Sequence, residues 1–176
     1  MTKTADKSYY SSGDFIGNFL RKQRHKNVLR HVKGELVDIA CGDNYLVHEY
    51  GSGKGVDIKN YGNVDVVAED LSNLPFDDQS IDTVTIIGSI NYFKNPKEVL
   101  KETNRILKDD GLLILTTTNY FVMKMWHLLR ESWAHKPGYT SKQLQAMITT
   151  AAFVIDKKIP FNFLLSNVYI VKKSKS

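Results

Sequence analysis

Short apolar runs alternate along this chain with stretches in which apolar residues recur at helical spacing. The seven runs are LVDIA, GVDI, VDVVAED, IDTVTIIGS, LLILTTT, FVIDK and NVYIVKK. The first three carry an acid near their ends and lead into turn-forming residues, as strands of a sheet do. The fourth and fifth are almost continuously apolar or β-branched, which is typical of parallel strands covered on both faces. The pattern therefore predicts seven strands.

The helical stretches lie between these runs. One covers residues 14–33, as a single helix or two short ones, and another is NYFVMKMWHLLRESW. Asn95, Pro96 and Glu98 provide an N-cap, a first-turn proline and an N3 acid for a helix that Gly111 should end.

Strands that alternate with helices predict an α/β fold. We expect a three-layer Rossmann-like sandwich with a mainly parallel seven-stranded sheet whose last strand is antiparallel. Thr140 and Gln143 open the last helix as a capping box, and the segment 44–56 leaves room for barely two helical turns. We expect a single domain, with an N-terminal helical or lid segment at 1–33 and the core at 34–176.

Composition narrows the class of protein. The chain has 176 residues, of which 42% are hydrophobic, and this suffices for one core. The N-terminus is polar, no apolar run approaches the length of a membrane span, and Cys41 is the single cysteine, so we expect a soluble cytoplasmic protein. The net charge of +5 includes basic clusters at 21–26 and at the C-terminus, which we interpret as solvated surface.

Polar residues follow the predicted strands at their carboxyl ends, where open α/β sheets bind ligands. Asp57 comes nineteen positions after Asp38, the spacing at which an acid accepts hydrogen bonds from two ribose hydroxyls. A strand-end Asp that caps the next turn is the alternative. Asp70 and Leu71 offer a carboxylate and a backbone N–H, which together can recognise the edge of an adenine.

Four segments in a fixed order carry a resemblance to a known family. They are VDIACGDNYL, GVDI, AEDLSNLPFDDQSIDTV and NPKEVLKETNRILKDDGLLIL. Together they resemble the class I S-adenosylmethionine-dependent methyltransferases, over roughly residues 27–119. The most specific part is LPFDDQSIDTV ahead of RILKDDGLLIL, because small-molecule methyltransferases of this superfamily carry LPF-x-D-x-SFD-x-V and R-x-LK-x-GG there.

The resemblance implies S-adenosylmethionine as cofactor and a role for each strand-end residue. Asp38 would orient the methionine amine, and Asp57 would hold the ribose. The other positions that it assigns to the cofactor are the loop residues Ala40, Cys41 and Gly42, the adenine neighbours Ile58, Asp70 and Leu71, and the methionine neighbours Gly88 and Ser89.

The loop after the first strand departs from the family pattern D-x-G-x-G-x-G. Ala40, Gly42 and Asn44 stand where the pattern has its three glycines. Alanine adds one methyl group, and asparagine is the non-glycine residue that best tolerates a positive φ, so both replacements are mild. The chain lacks a G-x-G-x-x-G sequence and a glycine-rich GKS or GKT loop, which argues against dinucleotide oxidoreductases and P-loop enzymes.

Candidate residues for the methyl acceptor lie near the ends of the fourth and fifth strands. They are Asn91, Tyr92 and Asn119. The stretch HKPGYTSKQL resembles a segment H-x-x-x-YT-x-x-x-L of small-molecule and sugar-related relatives, which makes His135 a candidate general base. An exposed loop histidine without a catalytic role is the alternative. The sequence contains no cysteine spacing typical of a zinc site, and we predict no metal.

We therefore expect methylation of a small molecule, such as a sugar, a lipid-linked group or a secondary metabolite, with O-methylation ahead of N-methylation. GSINYF stands where methyltransferases of nucleic-acid amino groups carry an NPPY-like sequence, so we expect no nucleic-acid partner. Two alternatives stay open. One is a catalytically silent methyltransferase-like binding or regulatory subunit, and the other is an RNA-directed enzyme that uses the basic cluster 21–26.

Overall fold

One mixed β-sheet forms the centre of the protein. The structure is a computed structural model that describes residues 15–120, 124, 138–162 and 165–174. The strands are β1 (Leu36–Ile39), β2 (Lys54–Asp57), β3 (Val66–Val67), β4 (Ile81–Ile87), β5 (Leu107–Thr118), β6 (Phe153–Phe161) and β7 (Ser166–Lys173). Their order across the sheet is β3-β2-β1-β4-β5-β7-β6. The strands β1 to β5 pair in parallel, and β7 runs antiparallel to both β5 and β6.

Helices cover both faces of this sheet. They are α1 (Phe15–Leu29), α2 (Tyr45–Tyr50), α3 (Pro96–Ile106) and α4 (Ser141–Thr150). On one face, Val28 of α1 and Leu46 of α2 pack with Leu36 and Ile114. On the other face, Leu100 of α3 and apolar residues of α4 pack on the sheet. The predicted three-layer α/β sandwich with an antiparallel last strand is confirmed.

The predicted end of α3 is wrong. The helix stops at Ile106, and Leu107 already pairs with Ile81 of β4. The pairing of β4 with β5 is then interrupted before it resumes at Thr83. Gly111 therefore lies inside β5, where a Cβ would come within 2.9 Å of the Leu107 side chain. Close packing, and not the end of a helix, requires glycine at this position.

The third strand is shorter than VDVVAED predicts, because β3 has two residues. Backbone hydrogen bonds to β2 extend beyond it, from the Asp65 N–H to the Gly55 C=O and from the Ala68 N–H to the Asp57 C=O. The segment therefore follows β2 without the regular ladder of a long strand. This short segment forms one edge of the sheet.

The predicted helix starts are found at their positions. At the start of α4, the Gln143 N–H donates to Thr140 Oγ1 at 3.3 Å and the Thr140 N–H donates to Gln143 Oε1 at 3.0 Å, which confirms the capping box. Asn95 lies at the N-cap of α3 and Pro96 follows it, but the Asn95 side chain makes no capping bond. Glu98 forms an ion pair within the helix.

The short helix α2, six residues long, matches the expectation of barely two turns. Most of the predicted helix NYFVMKMWHLLRESW lies outside the described residues. Within the part of the chain that the structure describes, no helix combines the length and apolar character that a membrane span requires.

One arginine holds the LPFDDQSIDTV segment against α3. Arg105 donates to both carboxylate oxygens of Glu102, at 2.8 and 2.7 Å, to the Leu74 C=O at 3.1 Å and to Asp78 at 2.5 Å. The Glu102 carboxylate also accepts the Leu74 N–H at 2.7 Å, and the bond from Arg105 is the main reason that its pKa is lowered. The most specific part of the sequence resemblance thus includes residues that stabilise the fold.

We expect Arg105→Met to lower the free energy of unfolding by about 1.5 to 3 kcal/mol, because Glu102 loses its charged partner. Urea denaturation followed by circular dichroism measures this loss. Lys97→Met, an exposed change on the same helix, is the matched control. A loss for Arg105→Met that equals the control's would contradict the structural role of Arg105.

Candidate functional site

The loop between β1 and α2, residues 40–44, has an unusual backbone. Ala40, Gly42 and Asn44 are all left-handed, with φ values of 59°, 60° and 60°. These are the three positions at which the sequence pattern calls for glycine. The left-handed conformation costs alanine roughly 1 kcal/mol and is more readily adopted by asparagine. Both replacements therefore keep a glycine-like path through the loop.

Hydrogen bonds of the Asn44 side chain stabilise this loop conformation. The side chain is 1% exposed, and its Nδ2 donates to the Asn63 C=O at 2.8 Å and to the Asp65 carboxylate at 2.7 Å. The same carboxylate accepts the Gly55 N–H at 2.8 Å. The amide of Asn44 lies directly on Gly55, where a Cβ would come within 1.9 Å of Asn44 Oδ1. Asn44 thus replaces a glycine and at the same time joins the loop to β2.

Asp57, at the end of β2, also stabilises the loop through hydrogen bonds. Its Oδ2 accepts the Gly42 N–H at 3.0 Å, and its Oδ1 accepts the Lys59 N–H at 3.1 Å. The Cys41 N–H donates to the Val56 C=O at 3.1 Å. These bonds correspond to the turn-capping alternative for Asp57. They leave acceptor capacity on the carboxylate for a ligand hydroxyl, because two oxygens offer about four lone-pair sites.

Asp38 is buried at the end of β1, with 3% exposure. Its Oδ1 accepts the hydroxyl of Thr85, which lies beside it on β4, at 2.6 Å. Burial is the main cause that raises the pKa of Asp38 to about 7, and the nearby Asp57 and Asp43 carboxylates raise it further, whereas the bond from Thr85 lowers it. A cation placed beside Asp38 would favour the ionised form.

Space for a ligand lies above the loop. A Cβ built on Gly42 would meet no atom within 4 Å. At the end of β4, the Ser89 Oγ is buried without a hydrogen-bond partner among the described residues. The thiol of Cys41 is half-buried, and burial together with the Asp38 and Asp57 carboxylates raises its pKa, so it stays protonated and is no nucleophile.

The remaining predicted cofactor residues lie along the same edge of the sheet. Ile58, after β2, is 55% exposed, whereas the side chain of Leu71 is buried, so that Leu71 can present only its backbone to a ligand. Asp70 is exposed, and its Oδ1 accepts the Ser72 N–H at 2.8 Å, a bond that lowers its pKa. The two carboxylates predicted for ribose and adenine thus follow the adjacent strands β2 and β3.

The predicted acceptor residues are only partly described. Asn91 and Tyr92 belong to a single 3-10 turn, Ile90–Tyr92, directly after Ser89, and the Tyr92 side chain is 44% exposed. The Asn119 N–H donates to the Leu165 C=O at 2.8 Å, which places Asn119 at the end of β5. His135 lies outside the described residues. Among the described residues, no group of His, Cys, Asp and Glu could hold a metal ion.

The basic stretch 21–26 is not simply the solvated surface that the sequence predicts. Lys22 and Lys26 are exposed, but Arg21 donates to the Asp43 carboxylate at 2.5 Å and lies 4.9 Å above the ring of Tyr45. The physical reason is the helical period, which turns alternate members of a basic run to opposite sides of α1.

His25 belongs to the same inward face of α1. Its ring stacks on Tyr45 with centroids 5.1 Å apart, and it is 9% exposed. Burial, followed by the charges of Arg24 and Arg21, lowers the pKa of His25 to about 4, so the ring is neutral at physiological pH. Sequence reasoning missed these site residues, although they share the helix face of the buried Val28.

Solved structures share this fold. An S-adenosylmethionine-dependent methyltransferase from Thermotoga maritima, described as a possible histamine N-methyltransferase, has a TM-score of 0.72 at 18% identity and covers 92% of this chain and 97% of its own. The 4+2 cyclase SpnF has a TM-score of 0.73 at 13% identity, over 99% and 88% of the two chains. The likeness at such identities is one of fold alone.

Sequence relatives add a second, independent likeness. Residues 37–115 match the family model described as a methyltransferase domain. An uncharacterized protein of Methanocaldococcus jannaschii is 31% identical over 135 residues, which cover 70% of this chain and 51% of the relative. A demethylmenaquinone methyltransferase of Staphylococcus haemolyticus is 27% identical over 143 residues, 66% of this chain and 60% of the relative.

The matched residues 37–115 are somewhat less than half of the chain, and together with the shared fold they make it similar to S-adenosylmethionine-dependent methyltransferases, a likeness that implies S-adenosylmethionine as cofactor. The chain spans between 51% and 60% of the length of these two relatives. The residues at this edge of the sheet fit that cofactor. The loop is open at Gly42, the Asp38 carboxylate is buried at the end of β1, and the Ser89 hydroxyl after β4 has no hydrogen-bond partner among the described residues.

The contact between Asn44 and Gly55 predicts non-additive changes in stability. We expect Gly55→Ala to cost about 2 to 3 kcal/mol, because its methyl group meets the Asn44 amide. Asn44→Gly should cost about 1 to 2 kcal/mol for its lost hydrogen bonds. The double variant should be more stable than Gly55→Ala alone, because the obstructing amide is gone.

Urea denaturation of the four proteins gives the coupling energy. Gly51→Ala is the matched control, since a Cβ there meets no atom within 4 Å. The loss in free energy of unfolding caused by Gly51→Ala should add to the loss caused by Asn44→Gly. If the losses caused by Gly55→Ala and Asn44→Gly add up in the double variant, the two residues are not in contact.

Asp38 predicts a pH dependence of cofactor binding. Its raised pKa means that the folded protein holds a proton on Asp38 below about pH 7. We expect the cofactor's ammonium to bind beside Asp38 only after this proton has left. Affinity should therefore rise with pH up to about 7 and fall above about 8, where an α-amino group loses its charge.

Isothermal titration calorimetry in buffers of different ionisation enthalpy measures the released proton. Asp38→Asn should remove the low-pH limb of the profile. Asp110→Asn, at a side chain that is 84% exposed, should leave it intact. An unchanged low-pH limb in Asp38→Asn would assign the titration to another group.

Proposed function

We propose that this chain transfers the methyl group of S-adenosylmethionine to a small-molecule acceptor. The observation that carries the proposal is the loop 40–44, whose left-handed backbone is open above Gly42 and held by Asp57. An alanine and an asparagine in place of two glycines do not alter this path. The loop therefore keeps the left-handed backbone although it contains one glycine where the family pattern has three.

The proposed cofactor contacts follow the edge of the sheet. Asp38 pairs with the methionine ammonium, and its burial makes this charge pair stronger than an exposed one. Asp57 accepts the ribose hydroxyls. The remaining contacts are the loop backbone of Ala40, Cys41 and Gly42, the adenine contacts of Ile58, Asp70 and Leu71, and the methionine contacts of Gly88 and Ser89.

When bound, S-adenosylmethionine supplies a methyl group that is already activated by a positively charged sulfur. The task of the chain is then to hold a nucleophile in line and to keep water out. A general base is needed only for a weak nucleophile such as a neutral hydroxyl. Asn91, Tyr92 and Asn119 are proposed to contact the acceptor, and His135 is the proposed base.

The acceptor class rests on the sequence and the relatives together. The absence of an NPPY-like sequence in GSINYF argues against nucleic-acid bases, and Arg21 is engaged with Asp43 instead of facing solvent. Relatives named demethylmenaquinone methyltransferase support a lipid-linked ring as the first acceptor class to assay. We propose O-methylation of a ring hydroxyl as the first reaction to look for, with C-methylation as the competing outcome.

The test combines binding with turnover. Calorimetry with S-adenosylmethionine comes first, followed by transfer of a labelled methyl group to hydroxylated aromatic, quinol and sugar acceptors, with the product's new bond assigned by NMR. Asp57→Asn should weaken binding at least about tenfold. Asp109→Asn, at a side chain that is 82% exposed, is the matched control.

The outcomes separate the alternatives. Binding and transfer to a small acceptor support the proposal. Binding without transfer to any acceptor, RNA included, would favour a catalytically silent subunit. Transfer to RNA alone, with a steep dependence on salt, would replace the small acceptor by a nucleic acid.

A further inference from the structure

Arg24 of α1 lies against the turn that follows β4. An ideal Cβ on Gly88 would come within 2.7 Å of Arg24 Nη1 and 3.6 Å of its Cζ. Gly88 itself is left-handed, with φ of 66°. Glycine at this position therefore serves two purposes, because it permits the turn and it leaves room for a guanidinium group.

The guanidinium of Arg24 lacks a carboxylate partner among the described residues. Arg21 pairs with Asp43, and Arg105 pairs with Glu102 and Asp78, but no described carboxylate pairs with Arg24. Arg24 is nevertheless half-buried. A partly desolvated cation is costly unless an anion approaches it, so the arrangement suits an anionic ligand.

A second orphan group lies next to this cation in the chain. The Oγ of Ser89 is buried without a hydrogen-bond partner among the described residues, and Ser89 directly follows Gly88. A hydroxyl can donate to an anion, and a guanidinium offers five N–H donors in a planar fork that matches a carboxylate. Two independent observations thus place donors at one turn.

The neighbouring strand carries the opposite charge. Asp38 of β1 lies beside Thr85 of β4, three residues before Gly88. The edge of the sheet therefore presents a buried carboxylate at one strand and an arginine at the next. An amino acid's ammonium and carboxylate, which share one carbon atom, are complementary to this pair of charges.

We propose that Arg24 binds the carboxylate of the cofactor's methionine portion, with the Ser89 hydroxyl as a second donor, while Asp38 takes the ammonium. The inference rests on the proposed function for the position of the methionine portion. It assigns a positioning role to α1, a helix outside the segments that carry the sequence resemblance. It also implies selectivity for a cofactor with an intact amino-acid end.

Decarboxylated S-adenosylmethionine is the probe for this contact. It keeps the adenine, ribose, sulfonium and ammonium groups and lacks only the carboxylate. Calorimetry on the full chain should show that the wild type binds S-adenosylmethionine about ten- to a hundredfold more tightly than the decarboxylated compound. Equal affinity of the wild type for the two compounds would overturn the proposal without any variant.

Arg24→Met should reduce this preference to about one, by weakening the binding of S-adenosylmethionine and leaving that of the decarboxylated compound nearly unchanged. Arg24→Lys, which keeps the charge but loses the planar fork, should be intermediate. Arg30→Met makes the same chemical change at an exposed position of the same region and should keep the full preference. A full preference in Arg24→Met would overturn the proposal.

Thermal melts establish that each variant is folded. Should Arg24→Met fail to fold, Ser89→Ala provides the second variant, and it should lower the preference by about threefold to tenfold. The result is independent of turnover. A chain that prefers the carboxylate but methylates no acceptor would refute the proposed function alone, and one that methylates but shows no preference would refute the role of Arg24 alone.

Discussion

The hydrogen bond from the Gly42 N–H to the Asp57 carboxylate joins the loop after β1 to the end of β2, and the rest of the site depends on it. The loop has three left-handed residues, a conformation that needs support from its surroundings. Asp57 provides this support by accepting the Gly42 N–H, and Asn44 provides it by donating to the Asp65 carboxylate. The shape of the loop is thus held by hydrogen bonds within the protein.

Two groups of charged residues lie at this edge of the sheet, acidic ones at the strand ends and basic ones on α1. The strand ends carry carboxylates, among them the buried Asp38, whose raised pKa reflects burial and the neighbouring acids. The helix α1 brings Arg21 and Arg24 over the same edge, and the two cations help to keep His25 neutral. This arrangement of charges is the basis of the proposed preference for a ligand that carries both an ammonium and a carboxylate.

The positions of many candidate site residues could be predicted from the sequence because these residues lie at strand ends. Asp38, Asp57 and Asp70 each follow an apolar run, and parallel strands bring their carboxyl ends to one edge. Errors occurred where tertiary packing replaced a local signal. The residue type of Gly111 predicts the end of a helix. The helix ends earlier, at Ile106, because Leu107 already pairs with β4 as part of the sheet.

The sequence by itself determined the α/β class, the sheet edge that carries the site and the acids on it, because strand alternation and strand-end positions are local properties. Only the tertiary structure decided that Asn44 packs on Gly55 and that Arg24 lies on Gly88. These contacts join residues of different elements, and no periodic pattern specifies which rotation of α1 meets the loop. The side chains that complete the site are thus chosen by packing.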